Sequence, residues 1–324
     1  LIPILLLILY SCGNKSEERC TTRDNHVKVV VTPIDDGLPA IHAFSGITVC
    51  DDILLIHDYT STDRQFLAYD ILNDRYLGSF GTYGNGPGEI INFGCVFYNP
   101  VDHIVYGVNG NKWEISGFNL DSAVIDPDIK AFKKVELNSS GGRFPINNAT
   151  YLNDSTVICT LYKPNKDNTK ICTYLAVCDL ITGISRSIDS VEPKWKVRNQ
   201  IAVSARDSLI VATDSNRDRI RLYDLDGNLK KTIYGPDYVE QGNRGNSYYA
   251  SPVIAGNRIY VVYSGKDLME QRCGKEIIVM DLDGKYLETL CPDIEISSID
   301  YHEKTGRLYM SLEGDIQFGY IQLN

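Results

Sequence analysis

From Val27 to the carboxy terminus, apolar side chains recur at every second position in short runs rich in Val, Ile and Tyr, and the runs are separated by Gly, Asn and Asp. A period of two marks strands with one face buried; no stretch keeps the 3.6-residue period of a long amphipathic helix. Two segments nearly superimpose, Ile220–Ile233 and Ile278–Leu290, each an apolar strand that turns at Asp-Gly and returns. Looser copies lie at Leu67–Ile71, Ser116–Leu120 and Leu175–Leu180, so the polar marker falls at Asp70, Asn119, Asp179, Asp224 and Asp281, with intervals of 49, 60, 45 and 57 residues.

A spacing near fifty residues is that of four-stranded propeller blades. Ahead of each marker a turn leads into a second apolar strand, as in Ile53–Ile56, Ile104–Tyr106 and Leu209–Val211. A sixth copy begins at Ile296 and stops at the marker position, Asn324, with three strands and no fourth. The isolated run His26–Val31 has no blade of its own and is expected to supply that strand, closing the ring and removing an unpaired edge. The expected fold is all-β: a six-bladed β-propeller of four-stranded antiparallel blades with an N-terminal strand closing the last.

Residues Leu1–Tyr10 form an apolar run about half the roughly 20 residues of a spanning helix. It ends at Ser11-Cys12, and Leu9-Tyr10-Ser11-Cys12 resembles a bacterial lipobox, although Tyr10 fits that pattern poorly and neither Met nor a basic segment precedes Leu1. The expected organisation is a signal peptide with a truncated start over 1–11, a lipid-anchored tether over 12–25 with acylation at Cys12, and the propeller over 26–324. The expected location is the cell envelope, anchored by lipid, with the outer membrane as the expected address. A single acyl chain binds membranes only marginally, so stable anchoring needs several.

Over nearly its whole length the chain resembles the TolB-like six-bladed propeller lipoproteins of Bacteroides and relatives. The most specific match is Phe80–Ile90, whose Gly84-Asn85-Gly86-Pro87-Gly88-Glu89 is similar to the Gly-x-Gly-Pro-Gly-Glu turn those proteins carry after their first blade. The resemblance implies fold and envelope location more than activity.

Composition narrows the chemistry. Lys+Arg of 32 against Asp+Glu of 42 gives a net charge of −10, a field that repels nucleic acid. The nine cysteines contain no C-x-x-C pair, so zinc-finger spacing is absent. Cys159 and Cys172 flank a polar segment almost symmetrically; a hairpin could set them opposite each other in a disulfide, or both are buried thiols. The Gly84–Glu89 loop lacks the Gly-Lys-Ser/Thr ending of a P-loop and reads as a turn between blades. Asp224–Gly227 and Asp281–Gly284 place glycine fourth rather than sixth, which suits a tight turn and not an EF-hand.

No catalytic constellation is visible: Gly-x-Ser-x-Gly is absent and the five histidines share no motif. In a six-bladed ring the first strand of each blade lines a central channel, and its polar start faces one mouth. The starts are His42, Asn92, Asn147, Asn199, Tyr249 and Ser297, with Arg143 and Arg198 close by. These are the candidate ligand-binding residues, set against the plain alternative that they solvate a tunnel. The expected function is a binding module for a small polar ligand, glycan or peptide, or for an envelope protein, with no cofactor and no nucleic acid. The alternative is a calcium-dependent hydrolase or lactonase sited in the channel.

Overall fold

The computed structural model describes residues 16–34, 37–39, 41, 45–91, 93–137, 144–164, 167, 169, 171–188, 199–242 and 245–323. Six sheets cover residues 45–82, 93–136, 146–187, 199–234, 246–291 and 295–322, each hydrogen-bonded outward in chain order from its first strand. These are blades one to six. Their innermost strands are Ser45–Cys50, Phe93–Asn99, Ile146–Asn153, Asn199–Ser204, Asn246–Ala255 and Glu295–His302. Each of these contacts the next around the ring, and the last contacts the first. The molecule is a six-bladed β-propeller, as the repeat pattern predicts.

The packing follows the same six-fold plan. Six apolar clusters fill the six interfaces between neighbouring blades, from Phe66, Phe80, Phe93 and Phe118 between blades one and two to Ile47, Ile56, Tyr309 and Phe318 between blades six and one. Second strands lie at the middle of these interfaces, so Leu209–Asp214 is buried at every position; its residues are small or apolar up to Asp214, which is paired with Arg219 and Arg221.

Ring closure differs in detail from the sequence reading. Among the described residues three short strands precede blade one: β1 (Ser16–Arg19), β2 (His26–Lys28) and β3 (Thr32–Pro33). β1 adds a parallel fifth strand to blade four beside Leu229–Tyr234. β2 adds a parallel fifth strand to blade five beside Tyr286–Cys291. Only β3 joins blade six, pairing antiparallel with Phe318–Gln322 through Thr32 and Tyr320. The N-terminal segment thus runs along the rim past three blades, and the closing strand is Thr32–Pro33 rather than His26–Val31. The valine run misleads because Val27, Val29 and Val31 alternate onto the apolar cluster between blades five and six without all belonging to one ladder. Gly319 is needed where the arm docks, since a Cβ there would lie 2.6 Å from Val31 Cγ1 and 2.8 Å from the Thr32 carbonyl. Residues 16–25, expected as a tether, form part of this rim; Cys12 and the apolar leader lie outside the described residues.

Two smaller expectations resolve. Cys159 pairs with Ala176 and Cys172 with Lys163, four residue pairs apart along the hairpin; both are buried and neither is in a disulfide. At about 3.3 Å per residue that offset is far beyond disulfide reach. The Gly84–Glu89 segment is a turn between blades, closed on itself by Glu89, whose Oε2 accepts from Gly86 N–H at 2.9 Å. Lys112 Nζ donates to the Gly86 and Glu89 carbonyls at 2.9 Å, so this carboxylate and its loop serve the backbone rather than a phosphate.

Candidate functional site

The axial channel holds two connected cavities. The upper one, of about 520 Å³, lies where the innermost strands begin; the lower, of about 810 Å³, lies where they end. Both are lined by Ile47, Thr48, Val96, Asn148, Ala149 and Ser251, which therefore form the waist between them.

All six blades contribute to the upper wall. Its polar members are Ser45, Thr48, His57, Tyr59, Asn147, Asn148, Gln200, Ser251, Ser297 and Ser298. Among the described lining residues there is no Asp, Glu, Lys or Arg, in a chain whose net charge is −10. Two of the hydroxyls are already committed to backbone carbonyls, and Ser45 Oγ pairs with Ser311 Oγ at 3.0 Å. Ser297 Oγ donates to the Ser311 carbonyl at 3.2 Å, and Ser251 Oγ to the Ile299 carbonyl at 3.2 Å. Ser298 Oγ has no partner.

His57 is the exception among the larger side chains. It sits on the second strand of blade one, Ile53–Asp58, opposite Gly46 on the innermost strand. Because Gly46 has no side chain, the ring reaches the channel wall from one strand further out. Tyr59 then folds over the same gap: a Cβ at Gly46 would stand 2.7 Å from Tyr59 Oη. The imidazole lies between Tyr59, at 4.1 Å between ring centroids, and Phe66, at 4.7 Å. It is 4% exposed, and neither Nδ1 nor Nε2 has a hydrogen-bond partner. Burial pushes its pKa down to about 3, although the Asp58 carboxylate opposes this, so the ring is neutral near pH 7 and offers one donor and one acceptor.

The lower cavity differs in having carboxylates. Asp300 and Asp154 line it. Burial raises the Asp300 carboxyl to about 6 even though its oxygens accept from Val49 N–H at 2.7 Å and Tyr301 N–H at 2.8 Å. The Val49 bond ties the innermost strand of blade six to that of blade one. A calcium ion takes six to eight oxygens, and Asp300 spends both of its own on backbone amides.

Of the residues expected from sequence, Asn147 and Ser297 lie on the upper wall. His42, Asn92, Arg143 and Arg198 fall outside the described residues, as does the side chain of Asn199; its neighbour Gln200 is on the wall. Tyr249 does not line the channel. The strand Asn246–Ala255 shifts register twice, after Ser247 and after Tyr249, and Ala250 and Ser251 face the axis instead. A one-residue slip moves a side chain to the opposite face.

Tyr249 belongs to a different cluster, between blades four and five. Its hydroxyl donates to Asp218 Oδ1, and Arg23, from the arm between β1 and β2, donates from Nη2 to both Asp218 Oδ1 and Tyr249 Oη at 2.7 Å. Asp218 Oδ2 accepts from Asp237 N–H at 3.0 Å, and Asp237 in turn accepts from Tyr263 Oη at 2.7 Å. Arg23 also lies over the Tyr263 ring at 4.8 Å. Burial alone would lower the Arg23 pKa, but Tyr249 and Asp218 hold it above its usual value. The arm is therefore locked by a buried ion pair.

His57, Tyr59, Asn148, Gln200, Ser251 and Ser298 escaped sequence reasoning. The one local signal was glycine in an innermost strand, Gly46, which lets a second-strand residue reach the axis.

Fold and site together define a six-bladed β-propeller whose upper axial cavity is lined, among the described residues, by uncharged side chains. Solved structures similar to it include the β-propeller domain of Cps50 (Swd1) from Myceliophteria thermophila, with 10% identity, 91% of this chain and 100% of that one covered, and a TM-score of 0.52. A chain of a nidogen–laminin complex matches with 12% identity over 78% and 82% and a TM-score of 0.53. A member of the duf4221 family from Bacteroides vulgatus matches with 14% identity over 90% and 94% and a TM-score of 0.56. No protein-family model and no curated protein matches the sequence. At these identities the likeness is one of fold.

Proposed function

We propose that this propeller is a binding module that takes an uncharged, hydrogen-bonding ligand, a glycan end or a neutral peptide segment, at its upper channel mouth. The observation that carries this reading is His57. A buried polar group without a partner costs free energy, typically about 1–3 kcal/mol, and a ligand hydroxyl or amide would recover it. Among the described residues the surrounding wall of Ser, Asn and Gln offers donors and acceptors without charge, which suits a neutral polar ligand.

Titration calorimetry against neutral oligosaccharides, neutral peptides and their carboxylated analogues tests the reading. Neutral ligands bind, His57→Phe abolishes the heat, and the affinity is flat between pH 5 and 8 because the imidazole does not protonate there. Turnover of a lactone or ester panel that requires stoichiometric calcium would instead favour a hydrolase.

The envelope address and the TolB-like lipoprotein resemblance belong to the same proposal, supported by the Cys12 lipobox and the Gly84–Glu89 turn. Cys12 lies four residues before β1, so an acyl anchor there is within about 14 Å of the rim of blade four. The disc is then held close to the membrane by its edge, not on a long tether. Loss of membrane fractionation in Cys12→Ala is the expected outcome.

A further inference from the structure

The arm also brings together metal-binding side chains that neither the channel nor the rim packing uses. His26 of β2, Cys291 at the end of the fourth strand of blade five and Glu276 at the start of the third place one donor atom each within 4.8 Å of one another. Cys291 Sγ and His26 Nδ1 are 3.5 Å apart. Around a tetrahedral zinc ion, with Zn–S near 2.3 Å and Zn–N near 2.0 Å, sulfur and nitrogen ligands stand about 3.5 Å apart. The thiol and imidazole are thus already at ligand spacing.

Strand register explains the convergence. Ile277 pairs with Leu290, which sets Glu276 beside Cys291, and Lys28 pairs with Cys291 on the other side. His26 lies two residues from Lys28 and so points to the same face of the sheet. Three adjacent strands each contribute one ligand, and β2 is held to blade five by only three residue pairs.

We propose that His26, Glu276 and Cys291 form a zinc site, with water as the fourth ligand, that staples the N-terminal arm to blade five. A thiolate and an imidazole select a borderline-soft ion such as Zn²⁺ over calcium or magnesium. In the metal-free chain Cys291 is a thiol whose sulfur carries a proton. Zinc replaces that proton on sulfur and releases it to solvent.

The test uses the full chain, reduced and stripped with chelator, titrated with Co²⁺ and then Zn²⁺. One equivalent of cobalt gives a thiolate-to-cobalt charge-transfer band, zinc abolishes the band, and zinc raises the melting midpoint by several degrees. Cys291→Ser loses the band, and His26→Gln weakens cobalt binding at least tenfold. Glu276→Gln, a partly exposed change that leaves the fold intact, weakens binding with the band retained. No band in the parent chain overturns the proposal. So does a band that survives in Cys291→Ser, which would place the metal on another partly exposed thiol such as Cys20 or Cys273.

Discussion

Two buried polar groups in this propeller face opposite fates. Asp218 sits between blades four and five with each oxygen engaged, by Arg23 and Tyr249 on one side and by the Asp237 amide on the other. His57 sits at the channel wall with both ring nitrogens idle. Each is almost fully removed from solvent. A buried group that has its partners specifies packing, here the docking of the arm, whereas one left without them marks where the molecule expects something from outside. Burial of a polar side chain therefore does not by itself separate structure from function; what sets His57 apart is that it lacks partners and also lines a cavity.

The comparison predicts substitutions of opposite sign. Asp218→Ala strands the Arg23 charge among Tyr249 and Tyr263, and the expected loss is about 3–5 kcal/mol, measured as a lower denaturant midpoint. His57→Phe removes two idle polar atoms and keeps the ring stack, so stability at pH 7 is unchanged or higher by about 1 kcal/mol while ligand binding disappears. Its pH profile is the sharper measurement. The folded His57 titrates at about 3, below the ordinary imidazole value of 6.5, so its contribution is complete above pH 6.5 and is lost as the pH falls toward 3. That acid-side loss amounts to at most about 5 kcal/mol in the parent chain and is absent in His57→Phe. An acid limb unchanged by the substitution would remove His57 from the comparison.

The sequence revealed what repeats and concealed what does not. Markers such as Asp224 and Asp281 recur because every blade needs the same turn, where Asp224 Oδ1 accepts from Asp226 and Asn228 N–H and Asp281 Oδ1 from Lys285 N–H. Six blades and their channel strands were legible for that reason. Asn147 and Ser297 follow from the strand starts, but Tyr249 does not, because two register shifts inside one strand leave no local mark that fixes their position. His57 reaches the axis only because its cross-strand neighbour is Gly46, a pairing between strands rather than a motif within one. Arg23 was hidden in a segment whose polarity reads as a tether; its partner Asp218 lies 195 residues away.

The lower cavity provides the opposite pH limb. Asp300 titrates at about 6 when folded against 3.8 for the free side chain, so its contribution is full below pH 3.8 and declines as the pH rises through 6. Because the side chain also faces the cavity, about 1–2 kcal/mol is expected rather than the full shift. Asp300→Asn flattens the stability curve between pH 4 and 7, and calorimetric melting across that range measures it.

The smallest effects separate two residues that the strand starts suggest alike. Asn147→Ala removes one uncommitted amide from the upper wall, and a single neutral hydrogen bond of about 1 kcal/mol corresponds to a five- to tenfold weaker ligand affinity with an unchanged melting point. Tyr249→Phe deletes a hydroxyl that donates to Asp218 and accepts from Arg23, so it lowers stability by about 1–2 kcal/mol and leaves affinity alone. Measured together by calorimetry and denaturant titration, the pair fails as a contrast if both variants shift the same quantity. In that case the clamp and the mouth would be one coupled unit, with the arm's ion pair acting on the ligand site through the wall formed by Ala250 and Ser251.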